Sequence, residues 1–166
     1  MPKQTLARRQ VRAALHSIDE LIPVPWDLEQ LVGRIAEQRD RPIRLLPTEF
    51  PVGEVSGLWM PVEGADLIYY DREASPAVRE QTIGHELGHL LMNHLEDRPN
   101  GPSVADQLAA VEVSPALIER FLARTAYETD IEAAAEEFGT RLLQAGHRRR
   151  GAAGSDALGR LTGSLR

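Results

Sequence analysis

The segment from Glu80 to His94, EQTIGHELGHLLMNH, constrains this chain more than any other. Within it, His85, Glu86 and His89 form the pattern H-E-x-x-H in a segment that is predicted to be helical. Residues four positions apart lie on the same face of a helix, so both imidazoles can reach one metal ion. Neutral imidazoles suit Zn²⁺, and Glu86 is then placed to take a proton from water. The pattern predicts a zinc-dependent hydrolase, with a peptidase as the leading interpretation.

Composition indicates the class of protein but not its activity. The 166 residues are 42% hydrophobic and 27% charged, as in a single globular domain. The chain has no cysteine, so His, Asp, Glu or water must hold any metal. We find neither a secretory signal nor an apolar run long enough to cross a membrane, and therefore expect a cytoplasmic protein with no membrane partner. The net charge of −6 argues against direct nucleic-acid binding as the main activity.

Hydrophobic periodicity predicts an α+β fold that is mainly helical. Apolar residues recur every three or four positions over residues 5–22 and again after Asp27, so both segments are predicted to be amphipathic helices. Three short β-prone runs follow, and we expect them to form a small three-stranded antiparallel sheet packed on the H-E-x-x-H helix. These runs are Ile43 to Leu46, Val55 to Val62 and Ala65 to Tyr70.

The second half of the chain is predicted to be mainly helical, with VADQLAAV compatible with a short helix and PALIERFLAR with another between the H-E-x-x-H helix and a later one. Ser75 and Pro76 are the expected N-cap and first residue of the H-E-x-x-H helix. A further helix, IEAAAEEFGTRLLQAG, is expected to end at Gly146. Residues 1–146 are therefore predicted to form one domain, and the Gly-, Ser- and Arg-rich residues 147–166 a mobile tail or a marginal helix.

A catalytic zinc site needs a third protein ligand. The extended pattern H-E-x-x-H-x-x-G-x-x-H does not supply it, because Met92 and Leu95 stand at its Gly and last His positions. His94 lies about half a turn away from the metal-facing side of the helix, so it is interpreted as a cap or a core histidine. His16 and His147 have no partner pattern and are given no role.

A carboxylate on the later helix is the remaining source. Glu132 is the best candidate, because the small residues Ala133 to Ala135 let that helix approach another closely. Glu136, one turn further on, is either a rival ligand or a hydrogen-bond partner of a ligand histidine. Both carboxylates could also belong to a solvated helical face.

Two further features are candidates for contacting a substrate. Tyr127 and Arg124 lie upstream of the later helix and could stabilise an oxyanion, although packing and solvated charge explain them equally well. A free edge of the small sheet, in the strand from Gly57 to Met60, could hold an extended peptide by backbone hydrogen bonds.

These motifs resemble the ImmA/IrrE family of metallo-endopeptidases. The resemblance rests on HELGHLL, on the later E-x-x-A-x-x-F-x-x-x-L-L, on GLW followed by LIYYD, and on the order of the elements. It implies a zincin-like fold in which His85, His89 and Glu132 hold Zn²⁺, or Mn²⁺, and Glu86 is the catalytic base. The chain departs from the family at Glu136, where Asn is common, and at Gly139, where Ala is usual.

The resemblance also implies a partner. Members of the family cut a helix-turn-helix (XRE-like) repressor and so relieve repression of stress, phage or mobile-element genes. The stretch between His89 and Glu132 is longer than in many members, and we expect a partner-specific insert there. The sequence identifies neither the substrate nor the oligomeric state.

Two other functions compete with the peptidase. One is a toxin-like or regulatory module that binds a partner and has a non-catalytic metal site, in which Glu86 would have no function. The other is nucleic-acid binding through the first two helices. The sequence disfavours it, because PVP replaces the expected tight turn and no basic recognition helix follows.

Overall fold

The computed structural model describes residues 2–50, 56–94 and 129–163. These residues form an α+β fold, as predicted. The elements in chain order are helix α1 (Pro2–Ile18), a 3₁₀ turn (Asp19–Leu21), helix α2 (Leu28–Gln38), strands β1 (Ile43–Thr48), β2 (Gly57–Val62) and β3 (Ala65–Asp71), and helices α3 (Pro76–Leu91) and α4 (Thr129–Gly163).

The sheet is mixed, with the strand order β1-β3-β2. Strand β2 pairs with β3 in the antiparallel sense, as the predicted hairpin requires, but β1 is parallel to β3. The prediction of a wholly antiparallel sheet is therefore wrong. Strand β3 lies in the centre because Ala65 to Tyr69 are all buried, whereas β1 contains Pro47, which lacks an N–H and is tolerated at an edge.

A buried carboxylate holds β2 in register with β3. Asp66 is 1% exposed and accepts hydrogen bonds from Arg41 Nε at 2.9 Å and from the indole Nε1 of Trp59 at 3.0 Å. The Arg41 guanidinium also donates to two backbone carbonyls that flank the β2–β3 turn, each at 2.7 Å. This network fixes the backbone of Trp59, which matters for the site described below.

Helix α3 begins where the sequence predicts. Ser75 accepts a hydrogen bond from the N–H of Val78 at 3.4 Å, and Pro76 is the first helical residue. The helix packs against the sheet and against α4. Its residues Ile83, Leu87 and Leu90 are buried in the main core, which α1, α2 and α4 complete.

Helices α3 and α4 approach closely because their contact is made of small residues. A Cβ atom added at Gly88 would lie 3.1 Å from Ala135 Cα, and one added at Gly139 would lie 3.0 Å from the backbone nitrogen of His85. Ala135 belongs to the run of alanines that predicted close packing. The backbones are therefore near enough for short side chains on the two helices to meet.

Helix α4 does not end at Gly146 but continues to Gly163. Gly146 lies against the ring of Trp26, and a Cβ there would overlap the indole, so this glycine serves helix packing rather than helix termination. Beyond it, Arg149 donates to the backbone oxygen and to Oδ1 of Asp19, both at 2.8 Å. The domain boundary after residue 146 stays a prediction. None of the helices in the described part of the chain has the length and apolar character of a membrane span.

Candidate metal centre

Three potential metal ligands meet where α3 and α4 cross. His85 and His89 lie one turn apart on α3, and their Nε2 atoms are 3.0 Å apart. Glu132, in the first turn of α4, places Oε2 3.2 Å from His85 Nε2 and Oε1 3.6 Å from His89 Nε2. One donor atom from each residue lies within 4.8 Å of the others. The structure therefore brings together the three side chains that the sequence proposed as ligands.

The donor set fits a divalent cation. Ligands held roughly 2.1 Å from a tetrahedral ion stand roughly 3.4 Å from one another; here the two Nε2 atoms are 3.0 Å apart, and each lies 3.2 or 3.6 Å from one of the two oxygens of Glu132. Two imidazole nitrogens and one carboxylate oxygen are typical of catalytic zinc, which keeps its fourth position for water or substrate. Without a cation, the same atoms must share protons at hydrogen-bond distance.

The charges at the centre are arranged to receive a cation. Burial by itself raises the pKa of Glu132, but hydrogen bonds from His85 and His89 outweigh burial and hold this pKa well below its usual range. Burial lowers the pKa of His85, but the hydrogen bond to Glu132 and the neighbouring carboxylates raise it above its ordinary value. The metal-free centre thus pairs a carboxylate with an imidazole whose protonated form that carboxylate favours. A cation replaces the proton of that pair.

Each histidine turns Nε2 to the centre and Nδ1 away from it. His85 Nδ1 lies 3.4 Å from Oε2 of Glu136, and Gln81 donates to Oε1 of the same carboxylate at 3.1 Å. Of the two positions predicted for Glu136, the structure places it behind a ligand histidine rather than among the three converging donors.

His89 has a different partner. Its Nδ1 lies 2.9 Å from Nδ1 of His94, and the two side chains are 1% and 2% exposed. The interpretation of His94 as a core histidine agrees with its burial, but the contact with His89 was not foreseen. The sequence feature that could have indicated this contact is Asn93. Asn commonly takes the left-handed conformation at a helix C-terminus, which directs the next side chain back towards the helix.

Glu86 lies beside the centre and is not one of the three converging donors. It is 7% exposed, and its Oε2 accepts a hydrogen bond from the backbone N–H of Trp59 at 2.7 Å. Burial raises the pKa of Glu86 to about 7, against the opposing effects of His85 and of the Trp59 N–H. A carboxyl group that titrates near neutral pH is suited to exchange protons with a substrate or with water.

A cleft of about 250 Å³ opens onto these groups. It is lined by His85, Glu86, Glu132 and Glu136, by Gln81 and Thr82 of α3, and by Ser56 and Gly57 at the start of β2. A Cβ added at Gly57 would overlap Thr82 and would lie 3.1 Å from Glu86 Oε1. Glycine at this position lets the strand approach α3 closely.

Strand β2 forms one edge of the sheet, as the substrate-binding prediction requires. The carbonyl of Ser56 accepts from the N–H of Asp71, so the backbones of Ser56 and Leu58 face β3. The backbones of Gly57 and Trp59 face the other way, towards Glu86. The two residues predicted to stabilise an oxyanion, Tyr127 and Arg124, lie outside the described residues.

Comparison with known proteins identifies one family. The model of the M78 peptidases, described as the IrrE N-terminal-like domain, matches residues 38–149, which is more than half of the chain. The match includes both histidines, Glu86 and Glu132. Neither the curated proteins nor the solved structures contain a significant match to this chain.

Proposed function

The chain belongs to the M78 family of metallopeptidases, and we propose that it is a zinc-dependent endopeptidase that cleaves a helix-turn-helix repressor. The observation that carries the peptidase part is the convergence of His85, His89 and Glu132 beside the buried carboxyl group of Glu86. The donor set favours Zn²⁺, and Mn²⁺ is the alternative metal.

The cation would supply a Lewis acid that acidifies water and polarises the scissile carbonyl. Glu86 would act as the general base and then as the general acid. The Trp59 N–H occupies Oε2 of Glu86, which leaves Oε1, on the side of Gly57, to accept the proton from water and return it to the leaving amine. Glu132 stays ionised and compensates the charge of the cation, while Glu136 holds the Nδ1 proton of His85.

Strand β2 would hold the substrate. The outward-facing backbone groups of Gly57 and the carbonyl of Trp59 lie next to Glu86, which itself accepts from the Trp59 N–H, so an extended peptide paired with this edge would run along the cleft. Backbone pairing gives affinity without strong sequence preference, which suits cleavage of an exposed segment in a folded protein.

The repressor is proposed from the resemblance to ImmA/IrrE peptidases and from membership of their family. A peptidase that cuts such a repressor would relieve repression of stress, phage or mobile-element genes. The competing module with a non-catalytic metal site is less consistent with Glu86, because a purely structural site has no use for a carboxylate buried beside it with a raised pKa.

The experiment compares wild type, Glu86→Gln and His85→Ala, each loaded with zinc and then freed of excess metal. Unfolded casein and any helix-turn-helix protein found to be encoded beside this gene serve as substrates. Glu86→Gln should keep about one zinc per chain and lose about 100-fold or more in cleavage rate, because the general base is gone. His85→Ala should lose both zinc and cleavage.

Metal analysis and mass spectrometry of the products give the readouts. Wild-type cleavage by both variants would overturn the peptidase mechanism. Chelator-sensitive cleavage of casein without cleavage of the repressor would leave the metallopeptidase standing and remove the proposed substrate.

A further inference from the structure

We infer that His94 is a positioning residue of the metal centre: its Nδ1 accepts a hydrogen bond from Nδ1–H of His89 and so holds Nε2 of His89 towards the cation. The inference rests on the proposed metal binding. It assigns a role to a histidine outside both sequence motifs.

The contact is well formed. The two Nδ1 atoms are 2.9 Å apart, and the ring centroids are 5.1 Å apart with planes inclined by 75°. Both side chains are buried, at 1% and 2% exposure, so little water competes for this hydrogen bond.

The end of α3 explains why His94 reaches His89. Asn93 has a φ of 55°, in the left-handed region, and follows the last helical turn. The N–H of His94 then bonds to the carbonyl of His89 at 3.1 Å, and the N–H of Asn93 to that of Leu90 at 3.2 Å. This pair of bonds is the Schellman motif, in which the residue after the left-handed one packs against the residue five positions earlier. An apolar contact usually fills that place, and here two imidazoles fill it.

Only one tautomer of His89 lets its Nε2 atom bind a metal ion. A neutral imidazole has one N–H and one acceptor nitrogen. If Nε2 of His89 is to bind a cation, its proton must be on Nδ1, where the partner at 2.9 Å has to be an acceptor. His94 therefore carries its own proton on Nε2. The reverse arrangement would place a proton on Nε2 of His89 and block the metal.

The two ligand histidines thus have partners suited to their surroundings. His85 borders the cleft, and its partner Glu136 has a side chain that is 62% exposed, where a negative charge is well solvated. His89 is buried, and a carboxylate behind it would be a second buried charge at a considerable desolvation cost. An imidazole that accepts through Nδ1 fixes the tautomer of His89 without placing a negative charge directly against it.

The hydrogen bond can be tested in the metal-free protein. Uniform ¹⁵N labelling should reveal a ring proton on His89 Nδ1 and a nitrogen–nitrogen coupling across the hydrogen bond to His94 Nδ1. A ring proton on His94 Nδ1, or the absence of one on His89 Nδ1, would overturn the inference even if no variant could be prepared.

Zinc affinity, measured by competition with a chromophoric chelator, tests the positioning role. His94→Leu removes the acceptor and should weaken zinc binding about 10- to 100-fold. His94→Asn offers Oδ1 near the position of Nδ1 and should restore most of the affinity. His16→Asn, on the exposed side of α1, is the matched control and should leave the affinity unchanged.

Equal affinities of His94→Leu and wild type, or equal weakening by Leu and Asn, would overturn the positioning role, because a packing effect does not depend on the acceptor. If the wild type binds no zinc, the proposed function fails. The nitrogen–nitrogen coupling would still report the hydrogen bond, so the two failures are distinguishable.

Discussion

Glu86 is a carboxyl group that the fold removes from water and gives one close donor, the N–H of Trp59. Ionising it in the metal-free protein is unfavourable, and its pKa is raised from 4.5 to about 7. A cation bound by the neighbouring histidines and Glu132 would favour the ionised form and lower this pKa again. The residue is therefore poised to hold or release a proton depending on what occupies the centre.

This property predicts a pH-dependent effect of Glu86→Gln on the stability of the metal-free protein. Between pH 4.5 and about 7 the folded state keeps a proton that the unfolded state has lost, so stability falls as the pH rises through that window. Glutamine has no proton to lose. Relative to wild type, Glu86→Gln should therefore gain stability between pH 5 and pH 8, by at most about 3 kcal/mol.

Urea unfolding in the presence of a chelator measures this difference. Glu37→Gln, at an exposed position of α2, is the matched control for loss of a surface carboxylate. If Glu86→Gln changed stability by the same amount at both pH values, the buried carboxyl group would not have the environment described here.

At the scale of elements, the distance between α3 and α4 decides whether Glu132 reaches the histidines. Gly88→Ala should disturb that distance, because its Cβ would lie 3.1 Å from Ala135 Cα, a backbone atom that can move only with its helix. We expect a loss of about 1–3 kcal/mol in stability and weaker zinc binding. Gly33→Ala, in α2 with nothing within 4 Å of the added Cβ, should instead gain about 0.5–1 kcal/mol.

Thermal or chemical denaturation with zinc titration distinguishes the two variants. A Gly88→Ala protein with wild-type stability and zinc affinity would show that close contact of the helices is not required.

Elements governed by local chemistry were predictable from sequence. Asp27 accepts from the N–H of Gln30 at 2.9 Å and Ser75 caps α3, as side-chain chemistry at a helix start requires. The parallel pairing of β1 with β3 was not predictable, because it depends on which strand is buried on both faces. The end of α4 was misplaced because Gly146 has two possible uses, and its contact with Trp26 decides between them.

At the scale of the whole molecule, the centre combines residues from α3, α4 and β2. His85, Glu86 and His89 could be identified from one helical turn, since their spacing alone places them. Glu132 could be identified only through the small residues that accompany it. The Trp59 N–H and His94 could not, because one is a backbone group placed by sheet pairing and the other depends on the left-handed residue Asn93.

The most direct test is zinc binding by wild type, Glu132→Ala and Glu137→Ala. Glu137 is on the same helix and pairs with Arg141, so it controls for loss of charge. The wild type and Glu137→Ala should bind one zinc per chain with equal affinity. Glu132→Ala should weaken zinc binding by more than about 100-fold. Loss of the hydrogen-bond partner of a ligand histidine costs at most roughly that much, and loss of a ligand itself should cost more. Wild-type zinc affinity in Glu132→Ala would contradict a centre built from two histidines of α3 and one carboxylate of α4.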